Sequence, residues 1–161
     1  MAHQRQAASH AYGIDKIQLY GVGVGLGLDP LDGNQLAYLS DQTPKVLPSF
    51  ATVAAWDIDF LLELGIDWSK LIHAAQDVEL LAPLPPAANL LADTHIEAAF
   101  DKPRRNATLL ITQTVLRRAD TGDDLARLKM CSLARDFRVT GAPTGGPARP
   151  TPVPEIGRAH V

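Results

Sequence analysis

The apolar positions of this chain follow two regimes that change near Trp68. Before it, Phe50, Val53, Ala54, Phe60, Leu61 and Leu64 recur at spacings of three and four, which lays one apolar stripe along a helix. Pro48 stands at the start, where a missing N–H costs nothing, and Gly65 at the end, where a left-handed stop is easiest. The pattern predicts one long helix. Upstream, Ile14, Ile17, Leu19, Tyr20, Val22 and Val24 predict a short helix that runs into glycines. Residues 35–39 read as a short strand before the polar turn Asp41-Gln42-Thr43-Pro44. Beyond Trp68, residues 72–81, 88–100, 107–116 and 125–139 read as extended segments. Their separators, Pro83-Leu84-Pro85-Pro86, the turn from Asp101 to Asn106, and Asp120-Thr121-Gly122-Asp123, are built of turn formers. The expected class is therefore α+β, a long helix wrapped by a curved antiparallel sheet. Residues 1–13, small and polar, read as a disordered leader, and the Gly/Pro-rich residues 140–154 as a linker.

Composition narrows the choice of partners. A length of 161 residues fits one domain, and 46% hydrophobic against 20% charged residues is enough to build a core. With 15 Lys+Arg against 18 Asp+Glu, and no cationic run longer than Arg104-Arg105 or Arg117-Arg118, the chain lacks the footprint of a nucleic-acid binder. Its single cysteine, Cys131, cannot form an internal disulfide, which favours a cytosolic or organelle-lumen setting. The N-terminus lacks the apolar stretch of a signal peptide. Asp57, Asp59 and Glu63 interrupt the longest apolar run, so no membrane span is expected.

Most motifs that carry chemistry fail on spacing. In Gly21-Val22-Gly23-Val24-Gly25-Leu26-Gly27, a dinucleotide fingerprint fails in both frames because Leu26 and Leu28 occupy the third glycine's place. A structural turn is the reading that remains. The five histidines, at 3, 10, 73, 95 and 160, form no metal-ligand spacing, so no metal site is expected. No G-x-S-x-G elbow exists, and Cys131 sits in an expected strand as a small hydrophobe. His73 reads as a half-buried histidine bonded to backbone. Asp93 and His95, two apart, share a strand face and read as a solvent-facing pair. Lys102, Arg104 and Arg105 cluster in one turn, either as a solvated loop or as a cradle for the phosphates of a large anionic group. None of Asp93, His95 and His73 is spaced to place a carboxylate and an imidazole around one water, so no catalytic residue is assigned to this chain.

Several strings together carry a resemblance: Tyr20-Gly21-Val22-Gly23-Val24-Gly25, Val46-Leu47-Pro48-Ser49-Phe50, the run from Leu71 to Leu80, and Pro83-Leu84-Pro85-Pro86-Ala87. Over roughly residues 14–147 the chain resembles the N-terminal half of MaoC-like (R)-specific 2-enoyl-CoA hydratases, the hydratase 2 part of peroxisomal multifunctional enzyme type 2 among them. The resemblance implies a single hot-dog fold over residues 14–139, where the family has two in tandem. It implies that this half forms the acyl pocket, with a coenzyme A thioester as substrate and no separate cofactor. The family's catalytic D-x-N-P-[IL]-H motif belongs to the C-terminal repeat and is absent here. Family contacts carry over to His73, Ala74 and Lys102 as candidate substrate-binding residues, with Asp101 beside Lys102. Ala74 stands where the family has Gly, and Ala75 where it commonly has Glu.

The expected partners are an acyl-CoA, a missing C-terminal hot-dog repeat or a separate hot-dog chain, and further copies in an oligomer. The expected setting is cytoplasmic in a bacterium or peroxisomal in a eukaryote. Residues 155–161 match a translation of a common sequencing adapter, which points to a reading frame cut by adapter read-through. Two other functions stay open on sequence: a non-catalytic subunit of a heteromeric hydratase, and a hot-dog acyl-CoA thioesterase using a carboxylate near the helix.

Overall fold

Turn chemistry sets the sheet. In the computed structural model, which describes residues 7–56 and 59–147, five strands form one antiparallel sheet in the order β1-β3-β4-β5-β2. They are β1 (Ala8–Tyr12), β2 (Leu71–Leu80), β3 (Ala88–Lys102), β4 (Ala107–Arg118) and β5 (Asp124–Arg135). A single 3-10 turn over Pro103–Arg105 joins β3 to β4, and Asn106 takes a left-handed conformation (φ 46°) to complete the reversal. Gly122 does the same (φ 79°) between β4 and β5, its N–H donating to the Arg118 carbonyl. The proline-rich stretch after β2 is not a hairpin turn. It carries the chain from the sheet edge, where β2 pairs with β5, to β3 on the far side of β4.

Two expectations about the first half are corrected. The leader is partly ordered: Ala8–Tyr12 pairs with β3 in the register Ala8↔Ala92 to Tyr12↔Ala88, and Tyr12 donates its phenolic hydrogen to the Pro85 carbonyl at 2.8 Å. Residues 35–39 are not a strand. Asp32 accepts the backbone N–H groups of Asn34 and Gln35 and also the Gln35 side-chain amide, an N-cap that opens helix α2 (Gly33–Leu36). Helix α1 (Ile14–Gly23) lies where the apolar spacing places it.

The long helix expected to follow Pro48 is divided. A 3-10 turn at Pro48–Phe50 leads into α3 (Ala51–Ala54), which ends at Ala55 (φ −138°, ψ 51°), and α4 (Asp59–Leu62) begins afresh. Aspartate competes with the backbone for hydrogen bonds and is poor inside a helix, whereas Asp59 in a first turn meets the positive end of the dipole. The hot-dog α+β fold is thus present with its central helix in short pieces.

These pieces cover one face of the sheet, and the core divides accordingly. One cluster gathers Tyr12, Ile17, Phe50, Ala51, Leu90, Leu116, Leu125 and Leu128. A smaller one gathers Phe60, Leu61, Ile66, Leu110 and Ala134. Tyr12 and Tyr20 both meet the Phe50 ring edge-on, at 5.1 and 5.5 Å between centroids, a favoured aromatic geometry. The first part of the glycine run closes α1 and the second part, residues 24–27, is the expected turn: Gly27 has φ 82° and lies where a Cβ would come within 2.7 Å of Leu39. Part of the expected linker is docked, since Asp101 takes the Pro143 carbonyl on its N–H at 2.8 Å and Thr144 bridges to Asp101. Among the described residues no helix is long and apolar enough to cross a membrane. The expected adapter-derived tail lies outside the described residues, as do residues 1–6 of the expected leader.

Candidate functional site

Two bulges aim the side chains of the sheet. On β2, His73 lies opposite Ser132 and Ala75 opposite Cys131, which leaves Ala74 as an extra residue. A bulge of this kind restarts the alternation of faces. His73 and Gln76, three apart, therefore share the helix-facing side, opposite Ser132 and Met130. On β3 the shift falls at Glu97, between the pairs Ile96↔Thr112 and Ala98↔Ile111. Thr94 opposite Thr114 and Ile96 opposite Thr112 thus look the same way as Ser132, and the two threonine hydroxyls hydrogen-bond to each other at 2.9 Å.

A cavity of about 300 Å³ opens between this face and the helical segments. Thr52, Ala55, Trp56, Phe60 and Leu61 form one wall, Trp68 and Leu71 the approach to β2, and His73, Gln76, Thr94, Thr112, Thr114, Leu128, Met130 and Ser132 the floor. Its volume matches the small end of sites for organic ligands, which are apolar with a few fixed polar groups. It sits between the two core clusters, taking Ala55 and Leu128 from one and Phe60 and Leu61 from the other. Thr112 and Ser132 are buried in its floor, at 3% and 1% exposure.

His73 is the one titratable side chain among the described lining residues. Its Nε2 stands 3.0 Å from the Ala75 carbonyl, which can only accept, so that nitrogen carries the hydrogen and Nδ1 of the neutral ring is left as an acceptor. The expected backbone bond is present, but the residue is exposed rather than half-buried. Ala74, at the bulge, is exposed and outside the lining; Lys102, at the end of β3, is also outside it. Lys102 donates its ammonium to the Gly145 carbonyl, while Arg104 and Arg105 stand exposed in the adjoining turn. Asp101 receives the Arg138 guanidinium at 2.6 Å.

Other expected candidates lie elsewhere. By register Asp93 and His95 share the sheet face away from the cavity, yet they are not partners: Arg117 holds Asp93 at 3.0 Å and Asp124 at 2.8 Å. Cys131 shares that outer face with Ala75, and burial pushes its thiol up, against a smaller opposing pull from Lys102. A thiol held protonated is a poor nucleophile. Burial pushes the Tyr12 hydroxyl up to about 12, with Arg118 opposing. Among the described residues no cluster of three His, Cys, Asp or Glu could hold a metal. Sequence reasoning missed Ser132, Thr112, Thr114 and Gln76. A usable signal was present in the alternation Thr112-x-Thr114 between the apolar runs Leu109-Leu110-Ile111 and Val115-Leu116, since a hydroxyl on a core-facing position needs a reason.

The fold is shared with MaoC-like dehydratases. A MaoC-like dehydratase from Phytophthora capsici superposes with a TM-score of 0.62 at 22% identity, over 93% of this chain and 53% of that one. The chain belongs to the family described as the MFE-2 hydratase 2 N-terminal domain, which matches residues 10–136. Among curated relatives, enoyl-CoA hydratase ChsH3 of Mycobacterium tuberculosis is 37% identical over 113 residues, 65% of this chain and 38% of the relative. Peroxisomal enoyl-CoA hydratase 2 of Arabidopsis thaliana is 27% identical over 63% of this chain and 36% of its own length. The chain therefore spans little more than a third of the curated relatives it matches. The fold is also shared with the ChsH1-ChsH2 complex of Mycobacterium tuberculosis, at a TM-score of 0.56 and 12% identity over 89% of this chain and 88% of that one.

Proposed function

We propose that this chain is the N-terminal, acyl-pocket-forming half of an enoyl-CoA hydratase, which adds water to a trans-2-enoyl-CoA to give the (R)-3-hydroxyacyl-CoA in fatty-acid or sterol side-chain oxidation. The observation that carries this is a cavity with an aromatic and aliphatic wall and no carboxylate among its described lining residues, in a chain of the hydratase 2 N-terminal family. Hydration needs groups that take and give protons within hydrogen-bond reach of the reacting atoms. Another hot-dog unit supplies them, whether as a second repeat or as a separate chain. His73 and Ala74 stand where the thioester enters along edge strand β2, and Lys102 with Arg104 and Arg105 supplies positive charge for the coenzyme phosphates. Cytoplasm or peroxisome is the setting in which such a thioester is met.

The thioesterase alternative asks for a carboxylate beside the helix, which the described cavity lining does not supply. The test combines the chain with a C-terminal hot-dog unit carrying D-x-N-P-[IL]-H and follows loss of enoyl absorbance with decenoyl-CoA. Hydration by the pair, with none from either unit alone, is the expected result. Free thiol released by this chain alone would overturn the reading in favour of a thioesterase.

A further inference from the structure

An apolar turn stands out from the molecule and has no part in the acyl pocket. The Asp32 N–H donates to the Asp29 carbonyl at 3.2 Å and the Leu31 N–H to the Asp29 carboxylate at 2.9 Å, a β-turn with Pro30 at its second position. Gly27 donates its N–H to the Gln35 side-chain oxygen at 2.9 Å, which ties the base of the turn to α2. The turn is thus set in place, yet Leu28 and Leu31 are 86% and 90% exposed on it. Beyond the C-terminal end of α2 lies an open groove of about 580 Å³, with Tyr38, Pro44, Lys45, Leu81 and Pro83 in its lining. The Lys45 N–H donates to the Ala37 carbonyl at 2.9 Å and fixes the groove against that end. Charge pairs the two features. Lys45 is the one cation in residues 17–69, its ammonium stands 6.0 Å from the centre of the Tyr38 ring, and among the described residues neither it nor Asp29 is ion-paired.

We infer that the turn is a knob for a second copy of this chain: Leu28 and Leu31 of one copy seat in the groove of the other against Tyr38 and Leu81, Asp29 meets Lys45, and each copy both gives its turn and receives one. Leu28 and Leu31 precede α2 and the groove begins after it at Tyr38, so the helix holds the two features apart within one copy. Two copies bring them together. The exchange is reciprocal, so it closes at two and leaves neither knob nor groove to recruit a third. Burial of the leucines supplies the binding energy, the charge pair sets the register, and a turn preset by Pro30 needs no ordering on docking. The stretch from Gln18 to Pro44 carries Asp29, Asp32 and Asp41 and no cation, so an anionic lipid surface repels it.

Sedimentation equilibrium of the full chain at low salt reads the association, and the parent is expected to form a dimer. Leu31→Ser changes a side chain that the fold leaves in water, so it should melt like the parent and weaken the dimer by about tenfold or more. Asp29→Lys and Lys45→Glu should each weaken it too, by setting like charges opposite one another. Mixed in equal amounts, these two variants should dimerise as tightly as the parent, because every turn then meets a groove of opposite charge. A parent that stays monomeric, a Leu31→Ser dimer as tight as the parent's, or a mixture no tighter than its parts overturns the inference. So does a Leu31→Ser chain that self-associates like the parent but binds an added C-terminal hot-dog unit more weakly, since the knob then belongs to that unit.

Discussion

Among the described glycines, Gly27 has the least room for a side chain. Its φ of 82° belongs to the left-handed region, and a Cβ would stand 2.7 Å from a Leu39 methyl. Left-handed backbone costs a non-glycine residue roughly 1–2 kcal/mol. Gly27→Ala is therefore expected to lower the melting temperature by roughly 2–8 °C, a shift that calorimetry resolves. An unchanged midpoint would mean that the turn relaxes freely. Asn106 and Asp136 show the reverse case, non-glycine residues at φ 46° and 56° that hold each other: Asp136 donates its N–H to the Asn106 carbonyl at 2.7 Å, and the Asn106 amide donates to the Asp136 carboxylate at 2.9 Å. Lys70, 2.9 Å away, does most to hold the Asp136 carboxyl below its ordinary value, and Asn106 adds to it. A depressed carboxyl contributes stability above its unfolded value and loses it as pH falls through the folded one. Asp136→Asn should thus melt earlier than the parent at neutral pH, with the gap closing in acid below the folded value. A gap of constant size across that range would show that charge plays no part.

The elements show what local sequence decides and what pairing decides. Strands β3, β4 and β5 lie close to their expected limits because Pro103, Asn106 and Gly122 act through their own backbone preferences, which no distant contact has to supply. Strand β1 was hidden, since Ala8-Ser9-His10-Ala11-Tyr12 has little apolar alternation and is held by its ladder to β3. Helix α2 was legible in principle through Asp32 as an N-cap, which outweighs the strand-like look of residues 35–39. The helical stripe was real, as burial of Phe50, Ala54, Phe60 and Leu61 shows, but periodicity alone does not reveal that the chain leaves the helix at Ala55. That break places Ala55 and Trp56 in the cavity wall, so the site was the part least visible in the sequence. Both bulges belong to this class. Deleting Ala74 should leave His73 and Gln76 two apart, the spacing of a regular strand, so Gln76, Val78 and Leu80 keep their faces and stability read from denaturant unfolding should change little. A large loss would mean that the strand cannot keep its pairing to β5 without the extra residue.

At the scale of the molecule, α1 and the segment after it leave several large apolar side chains in solvent. Leu19, Val22, Val24, Leu28 and Leu31 are all exposed along α1 and the segment after it, with Leu31 at 90%. Large apolar side chains gathered on an exposed surface mark association sites more often than free solvent-facing surface. The isolated chain is expected to self-associate in sedimentation and to hydrate decenoyl-CoA no faster than buffer. A monodisperse monomer with hydratase turnover would contradict both. The division of the core has a further consequence for how the molecule opens. Phe60, Leu61 and Ile66 belong to a cluster much smaller than the one around Tyr12 and Phe50, and the empty volume lies between the two. Local opening begins where fewest apolar contacts must be broken, so the backbone amides around α4 should exchange hydrogen with solvent well before those of α1. A tail lodged between the clusters is a strut across that seam. Once it is in place the two parts should open together, and the hours that deuterium takes to reach α4 become a measure of what the protein holds.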